Sequence, residues 1–295
     1  MIEQTITSAF ADADLQEFLL NGNSVQTLVY DNGKRSSSSS NFKEIPALTR
    51  ALQEFALRQG IRVDPIRPFG GSVFHSSNLQ LRWHLVIPPM AGSGPIFSVR
   101  RLQFAALAYS DFGIDPEHSR KMLDQVKNCD FAVFSGETGS GKTSLMTMLA
   151  SDFFFEQRVC IIETLAEISQ VSPHWFQLLS QKANIQDKGA IDCHTLVEES
   201  LRLRPDRYLF GEIRGDEARD VLGLLTAASA GVWTTIHSSE PEQLVRRLAF
   251  LSSEPVLRWT ETFKGLSVLY FQLQRKQPRL EAVYKWNTGV WNRFY

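Results

Sequence analysis

FAVFSGETGSGKTS, residues 131–144, decides the fold. Its first five residues are apolar or small without a break, which reads as a strand buried on both faces. The next stretch carries Gly136, Gly141, Lys142 and Thr143 in the order G-x-x-x-x-G-K-[ST]. The glycines let the backbone curl until successive N–H groups point at phosphate oxygens. The helix expected next, running through residue 149, adds its positive N-terminal end. Lys142 is placed to reach β- and γ-phosphates, and the Thr143 hydroxyl to ligate Mg2+. The cradle comprises Gly136, Glu137, Thr138, Gly139, Ser140, Gly141, Lys142, Thr143 and Ser144. A buried strand before the loop and a helix after it are the context this pattern demands. The segment therefore implies a bound nucleoside triphosphate, ATP with its product ADP, and Mg2+.

Working outward, VCIIE (159–163), YLFGEI (208–213) and VWTTI (232–236) read as further buried strands. Helices are expected over 195–203 and 218–228. Continuous apolar strands between helices give an α/β domain with a mostly parallel sheet covered on both faces. VLYFQL and LEAVYKW read as an antiparallel pair joined around Gln277 and Pro278. The first 112 residues read instead as a smaller α+β domain. Asp12 or Asp14 is expected to cap a helix through residue 20. Residues 25–30 read as a strand and Asn32-Gly33 as a hairpin turn. The serine run 36–40 reads as a solvated loop. Apolar spacing predicts a helix over 45–59 and strands over 79–87 and 96–102. The division expected is 1–112, a linker and first helix over 113–127, with Pro116 in the first turn, and 128–295.

The chain has 295 residues, 43% of them hydrophobic, enough for two cores. Its net charge is −1, and both parts are close to neutral. That argues against a general basic nucleic-acid binder and against an acidic disordered chain. Three scattered cysteines, Cys129, Cys160 and Cys193, do not make a disulfide framework or a zinc site. The N-terminus lacks the pattern of a signal peptide, and no apolar run is long enough to span a membrane. A cytoplasmic location is expected, with peripheral attachment to a membrane machine left open. The six tryptophans are not interleaved with basic residues and read as core or interface packing. Whether the aromatic tail over 286–295 packs on its own domain or on a neighbour is left open.

Two carboxylates stand at ends of expected strands, Glu163 and Glu212. In an open parallel sheet that edge faces the phosphate loop, where a carboxylate can hold Mg2+ or orient the attacking water. Which of the two takes the proton is not decided by the sequence. His237 ends the fourth strand, where a histidine can sense a γ-phosphate.

IIETLAEI (161–168), RLRPDRYLFGEIRGDEA (202–218) and AASAGVWTTIHSSEP (227–241) follow the phosphate loop in order, and LQLRWHLVIPP (79–89) and FSVRRL (97–102) precede it. Together they resemble the secretion and traffic ATPases of type II and IV secretion, conjugation and type IV or Flp pili. SVRR and the Pro88-Pro89 pair place the resemblance nearest the type IV secretion and Flp-pilus branch. The resemblance implies a C-terminal RecA-like domain preceded by a PAS-like domain. It implies a Walker B glutamate at Glu212, an Asp-box glutamate at Glu163 and a His-box histidine at His237. Arg100 is implied near the phosphates from the first domain, with Arg82, Arg101 and Arg204 as further candidates, and Arg214 flanks the Walker B strand. Thr143, Glu163 and Glu212 are the implied Mg2+ ligands. One departure stands out: an aspartate usually follows the Asp-box glutamate, and here it is Thr164, while Glu167 matches a later acidic position. The resemblance further implies a homo-oligomeric ring, a hexamer, acting on inner-membrane platform proteins from the cytoplasmic face; direct nucleic-acid binding is not expected, since both parts are close to neutral. The alternatives are a nucleic-acid translocase or helicase on the same core, and a nucleotide-binding scaffold with weak turnover.

Overall fold

Leu15, Phe18 and Leu20 bury against one core from an extended segment, not from the helix expected there. The computed structural model describes residues 2–22, 25–30, 34–39, 44–76, 79–102, 107–181, 189–227, 231–238, 240–274 and 279–295. In it α1 (Ile2–Ala9) precedes β1 (Leu15–Asn21). The strand carries a bulge, since its register with the next strand shifts between Leu15 and Glu17. One extra residue converts the alternation of a strand into an i, i+3 spacing that imitates a helix. Asp12 caps nothing helical; its carboxylate accepts the N–H of Asp14 in the turn between the two elements.

The chain divides into two compact units, Met1–Gln103 and Phe104–Tyr295. The first continues with β2 (Val25–Tyr30), β3 (Arg35–Ser39), α2 (Ile45–Arg58), β4 (Phe69–Ser76), β5 (Leu79–Val86) and β6 (Ile96–Leu102). These strands form one antiparallel sheet in the order β3-β2-β1-β6-β5-β4. The helices pack on one face, where Phe55 meets Phe74, Trp83 and Phe97 at ring separations of 5.7, 5.3 and 5.6 Å. Serines 36–39 belong to β3, the outermost strand, and are held by backbone pairing to β2. Side-chain propensity does not place them there; an edge strand tolerates exposed polar residues. Ser40 and the Asn32-Gly33 turn lie outside the described residues.

In the second unit a short 3-10 turn (Tyr109–Phe112) leads to α3 (Arg120–Lys127), β7 (Phe131–Gly136), α4 (Lys142–Phe154), β8 (Val159–Glu163) and β9 (Phe176–Leu179). Then come α5 (Cys193–Arg202), β10 (Arg207–Ile213), α6 (Glu217–Ala227), β11 (Gly231–Ile236), α7 (Pro241–Ser252) and α8 (Val256–Lys264). β12 (Val268–Gln274), β13 (Arg279–Asn287) and β14 (Val290–Arg293) close the unit. Helix α3 begins later than expected because the Asp115 carboxylate accepts the N–H groups of Glu117 and His118 in a turn. The eight strands order as β14-β13-β12-β7-β11-β10-β8-β9, parallel from β12 to β9 and antiparallel at β13 and β14. Along β7, Phe131 and Val133 join a core beneath α5 to α8, while Ala132 and Phe134 join one beneath α3 and α4. Burial on both faces is why these strands read as unbroken apolar runs. The turn at Gln277 and Pro278 lies outside the described residues. The aromatic tail packs on its own unit: Trp291 lies 5.2 Å from Trp286 and 5.9 Å from Tyr270. All three cysteines are free thiols. No described helix is long and apolar enough to cross a membrane.

One polar side chain fastens the central strands at their N-terminal ends. Arg207 donates to the Cys129 carbonyl at 2.7 Å and stacks 4.7 Å from the Phe154 ring. It lies so close over Gly231 that a Cβ there would meet Nη1 at 1.9 Å. Gly231→Ala therefore displaces the guanidinium and forfeits both contacts, lowering stability by about 1–3 kcal/mol. A thermal melt should show a fall of several degrees in Tm.

Candidate functional site

β7, β8, β10 and β11 are parallel, so their C-terminal ends share one edge of the sheet. Every residue placed at a strand end by the sequence arrives at that edge. The loop after β7 turns sharply at Gly136, where a Cβ would lie 2.6 Å from Ser140 Oγ and 2.7 Å from the Leu273 carbonyl. Gly141 (φ 85°) then opens α4 in the left-handed region that only glycine adopts without strain. Glu137, Thr138 and Gly139 are exposed on the crown of the loop, and Ser140 is buried beneath it. The Ser140 hydroxyl has no protein partner among the described residues.

Lys142 is the first residue of α4 and is 7% exposed. Its ammonium donates to the carbonyls of Gly136 and Glu137 at 3.0 and 2.9 Å. Burial pulls its pKa below the ordinary lysine value, while the charges of Glu212 and Glu167 oppose that fall. Thr143 and Ser144 follow on the same first turn, half-buried.

Glu212 owes its direction to a bulge. Phe210 pairs with Thr234 and Ile213 with Ile236, so β10 holds one more residue than β11 across this interval. Such a bulge re-aims the side chain it carries. The Thr235 hydroxyl donates to the Gly211 carbonyl at 2.6 Å and holds the bulge in place. Arg214 forms an ion pair with Glu212 Oε2. On the other side, His237 Nε2 lies 3.0 Å from Glu212 Oε1, though without the alignment of a hydrogen bond. The other ring nitrogen of His237 is 3.1 Å from the Gly136 carbonyl. A carbonyl only accepts, so Nδ1 carries a proton there. Thr138 Oγ1 lies 3.5 Å from Nε2. His237 thus spans from the phosphate loop to Glu212.

Glu163 ends β8 and is 6% exposed. Its carboxylate accepts the N–H groups of Glu167 and Ile168, the shortest contacts being 3.2 and 3.1 Å, and the Gln177 amide at 2.7 Å. Gln177 is absent from the sequence expectations because it sits on β9, a short edge strand with no apolar alternation. Gly211 is needed beside this carboxylate, since a Cβ there would be 2.9 Å from Glu163 Cγ.

The arginines divide. Glu17, Arg100 and Arg82 stand in one lateral row across β1, β6 and β5. Arg100 Nε lies 3.9 Å from Glu17 Oε1 and remains 47% exposed. Glu17 thus sets a carboxylate beside two cations that stand directly opposite each other. Arg101 projects the other way. Its guanidinium donates to the carbonyls of Phe10, Asp12 and Leu15 at 2.8, 2.7 and 2.9 Å and lies over the Phe10 ring, which is a structural task. Arg204 is exposed in the second unit with a left-handed backbone (φ 52°).

The loop suits a polyphosphate. It offers a tight turn at Gly136 with no room for a Cβ, a buried hydroxyl at Ser140 and an ammonium bonded to the loop carbonyls. No cluster of three or more His, Cys, Asp or Glu among the described residues is built to hold a metal on its own. Thr143 and a strand-end carboxylate are hard-oxygen ligands of the kind Mg2+ prefers and would hold it beside a bound phosphate.

Burial raises the Glu163 pKa from 4.5 to about 7, outweighing the three donors that lower it. An acid with a raised native pKa favours the folded state below its unfolded value and loses that advantage as pH rises through the folded one. Stability should therefore decline by up to about 3 kcal/mol between pH 4.5 and 7 on account of this group. Denaturant unfolding across that range should show the decline, and Glu163→Gln should flatten it.

The profile of the family described as "Type II/IV secretion system protein" matches residues 72–275. A Mycobacterium tuberculosis protein named for conjugal transfer is 31% identical over 230 residues, 75% of this chain and 65% of that protein. VirB11, a type IV secretion system protein of Brucella suis biovar 1, is 33% identical over 121 residues, 40% of this chain and 34% of its own length. The chain thus spans less than two-thirds of the length of these relatives. Among solved structures, the pilus retraction motor PilT with bound ADP superposes with a TM-score of 0.62 at 15% identity, over 90% of this chain and 76% of that one. The phosphate loop, the bulged glutamate strand and the strand-end histidine all lie inside the matched stretch, and the chain belongs to the type II/IV secretion system protein family.

Proposed function

We propose that this chain is an ATP-hydrolysing motor subunit. It works as a hexameric ring that powers a bacterial type IV secretion, conjugation or type IV/Flp pilus assembly machine at the cytoplasmic face of the inner membrane. The observation that carries the reading is the convergence of Lys142, Glu212, Arg214 and His237 at one sheet edge. In this reading residues 128–295 are the RecA-like motor domain and residues 1–112 a PAS-like domain. Relatives named for conjugal transfer and type IV secretion support the choice of machine.

The chain's own residues supply the steps. The phosphate-loop N–H groups and Lys142 hold the β- and γ-phosphates and offset the charge that develops on transfer. Thr143 and Glu212 would hold Mg2+, which would supply positive charge to offset that of the phosphates. Glu212, with one oxygen freed, orients the attacking water and receives its proton. His237 touches both the loop and Glu212, so a change at one is felt at the other. Arg100 and Arg82, aligned on one face of the first sheet, are assigned guanidinium contacts to phosphate oxygens. Binding and release then shift the ring between closed and open interfaces, and the inner-membrane platform proteins receive the motion.

Lys142→Ala should abolish ATP hydrolysis in a phosphate-release assay. Glu212→Gln should still bind ATP and turn it over at least about 100-fold more slowly. Normal turnover in either variant overturns the assignment. Light scattering with ATP should report six subunits; a strict monomer with and without nucleotide contradicts the ring.

A further inference from the structure

We propose that His194 is a pH-sensitive clasp between α5 and α6, closed while its imidazole is protonated and loosened as that proton is lost. The clasp joins the helix that leads into β10 to the helix that leaves it, and β10 is the strand that carries Glu212. All of its parts belong to the second unit and need no bound nucleotide.

His194 is the second residue of α5. Its Nδ1 lies 2.7 Å from Asp220 Oδ1 on α6, a hydrogen bond between residues 26 positions apart. Its Nε2 lies 3.5 Å from Glu198 Oε1, one turn further along α5. A neutral imidazole carries one N–H and an imidazolium carries two, so both carboxylates are attracted together only by the protonated ring. The carboxylate on α6 gives the contact its weight. The Asp220 side chain is 9% exposed, and His194 is its only ion-pair partner among the described residues. A carboxylate withdrawn from water depends on the partner that remains. Beside this contact, Leu196 and Val197 of α5 share a core with Val221, Leu224 and Leu225 of α6. The apolar packing holds the helices together, and the clasp fastens the first turn of α5 at its edge.

The surroundings set the direction of the switch. Asp220, Glu198 and the cap residue Asp192 are the charged groups that act on the imidazole, and all are acidic. Cys193 and Glu217 stand beside Asp220. The Asp220 contact, more than any other, holds the His194 pKa above the ordinary 6.5. Burial holds the Asp220 carboxyl above its own ordinary value even with the imidazole beside it. The two shifts have the same sign. A raised native pKa favours the folded arrangement below the unfolded value, and that advantage is lost as pH rises through the native one. For His194 the loss falls on the alkaline side of 6.5. There α5 keeps its apolar packing and loses the fastening of its first turn.

The test uses the full chain without nucleotide. Hydrogen exchange is read by mass spectrometry on a peptide covering 193–203 and corrected for the intrinsic pH dependence of amide exchange. In wild type, protection of α5 should fall at least about threefold between about pH 6 and about pH 8. In His194→Gln, which keeps a neutral hydrogen-bonding side chain at an exposed position, protection should be equal at the two pH values. In Asp220→Asn the His194 ring resonances in an NMR titration should move at a lower pH than in wild type. Equal wild-type protection at both pH values overturns the clasp, and so does a pH dependence that survives in His194→Gln. A His194 titration unmoved by Asp220→Asn overturns the pairing. Should Asp220→Asn not accumulate as folded protein, exchange in wild type and His194→Gln decides.

Discussion

Parallel pairing of β7, β11, β10 and β8 is the constraint on which the site depends. Antiparallel neighbours would send alternate strand ends to opposite edges and scatter these groups. Parallel strands must be joined by crossovers, and the crossover helices bury both faces of the sheet. The same demand that makes the strands apolar throughout forces polar chemistry out to their ends. Glu163, Glu212 and His237 stand where the apolar runs stop, and the phosphate loop is the connection that leaves the central strand.

Within that frame, small departures from regularity set the direction of each group. The bulge in β10 turns Glu212 and lets Arg214 reach back to it. A glycine at 211 makes room for the neighbouring carboxylate, and a threonine from β11 holds the bulge by its carbonyl. His237 takes its tautomer from the loop carbonyl it faces. The site is thus a set of mutual restraints among three strand ends, and altering one member displaces its neighbours.

The second unit was largely legible in the sequence because its signals are local. The glycine-lysine loop, the buried runs and the strand-end carboxylates each declare themselves within a few residues. What escaped lies at edges and irregularities. The bulge near Leu15 gave a strand the spacing of a helix, and the serine strand is held by backbone pairing to its neighbour, joined by one side-chain hydrogen bond between Ser37 and Thr27. Gln177 was invisible because its meaning comes from the carboxylate opposite, 14 positions away along the chain. Arg101, adjacent to an exposed arginine, serves three carbonyls up to 91 positions distant, which no local pattern encodes. The family profile covers residues 72–275, so much of the first unit had only local propensity to speak for it.

The carbonyl contacts of Lys142 carry a consequence for how a phosphate is received. The ammonium already has two acceptors in the loop, at 3.0 and 2.9 Å, so it is neither solvated freely nor left wanting. A phosphate arriving there exchanges partners with the carbonyls; it does not meet a bare charge. The lysine's share of affinity is then the difference between two bonded states. In the proposed nucleotide site the lysine is thus a preloaded contact, exchanging one pair of acceptors for another.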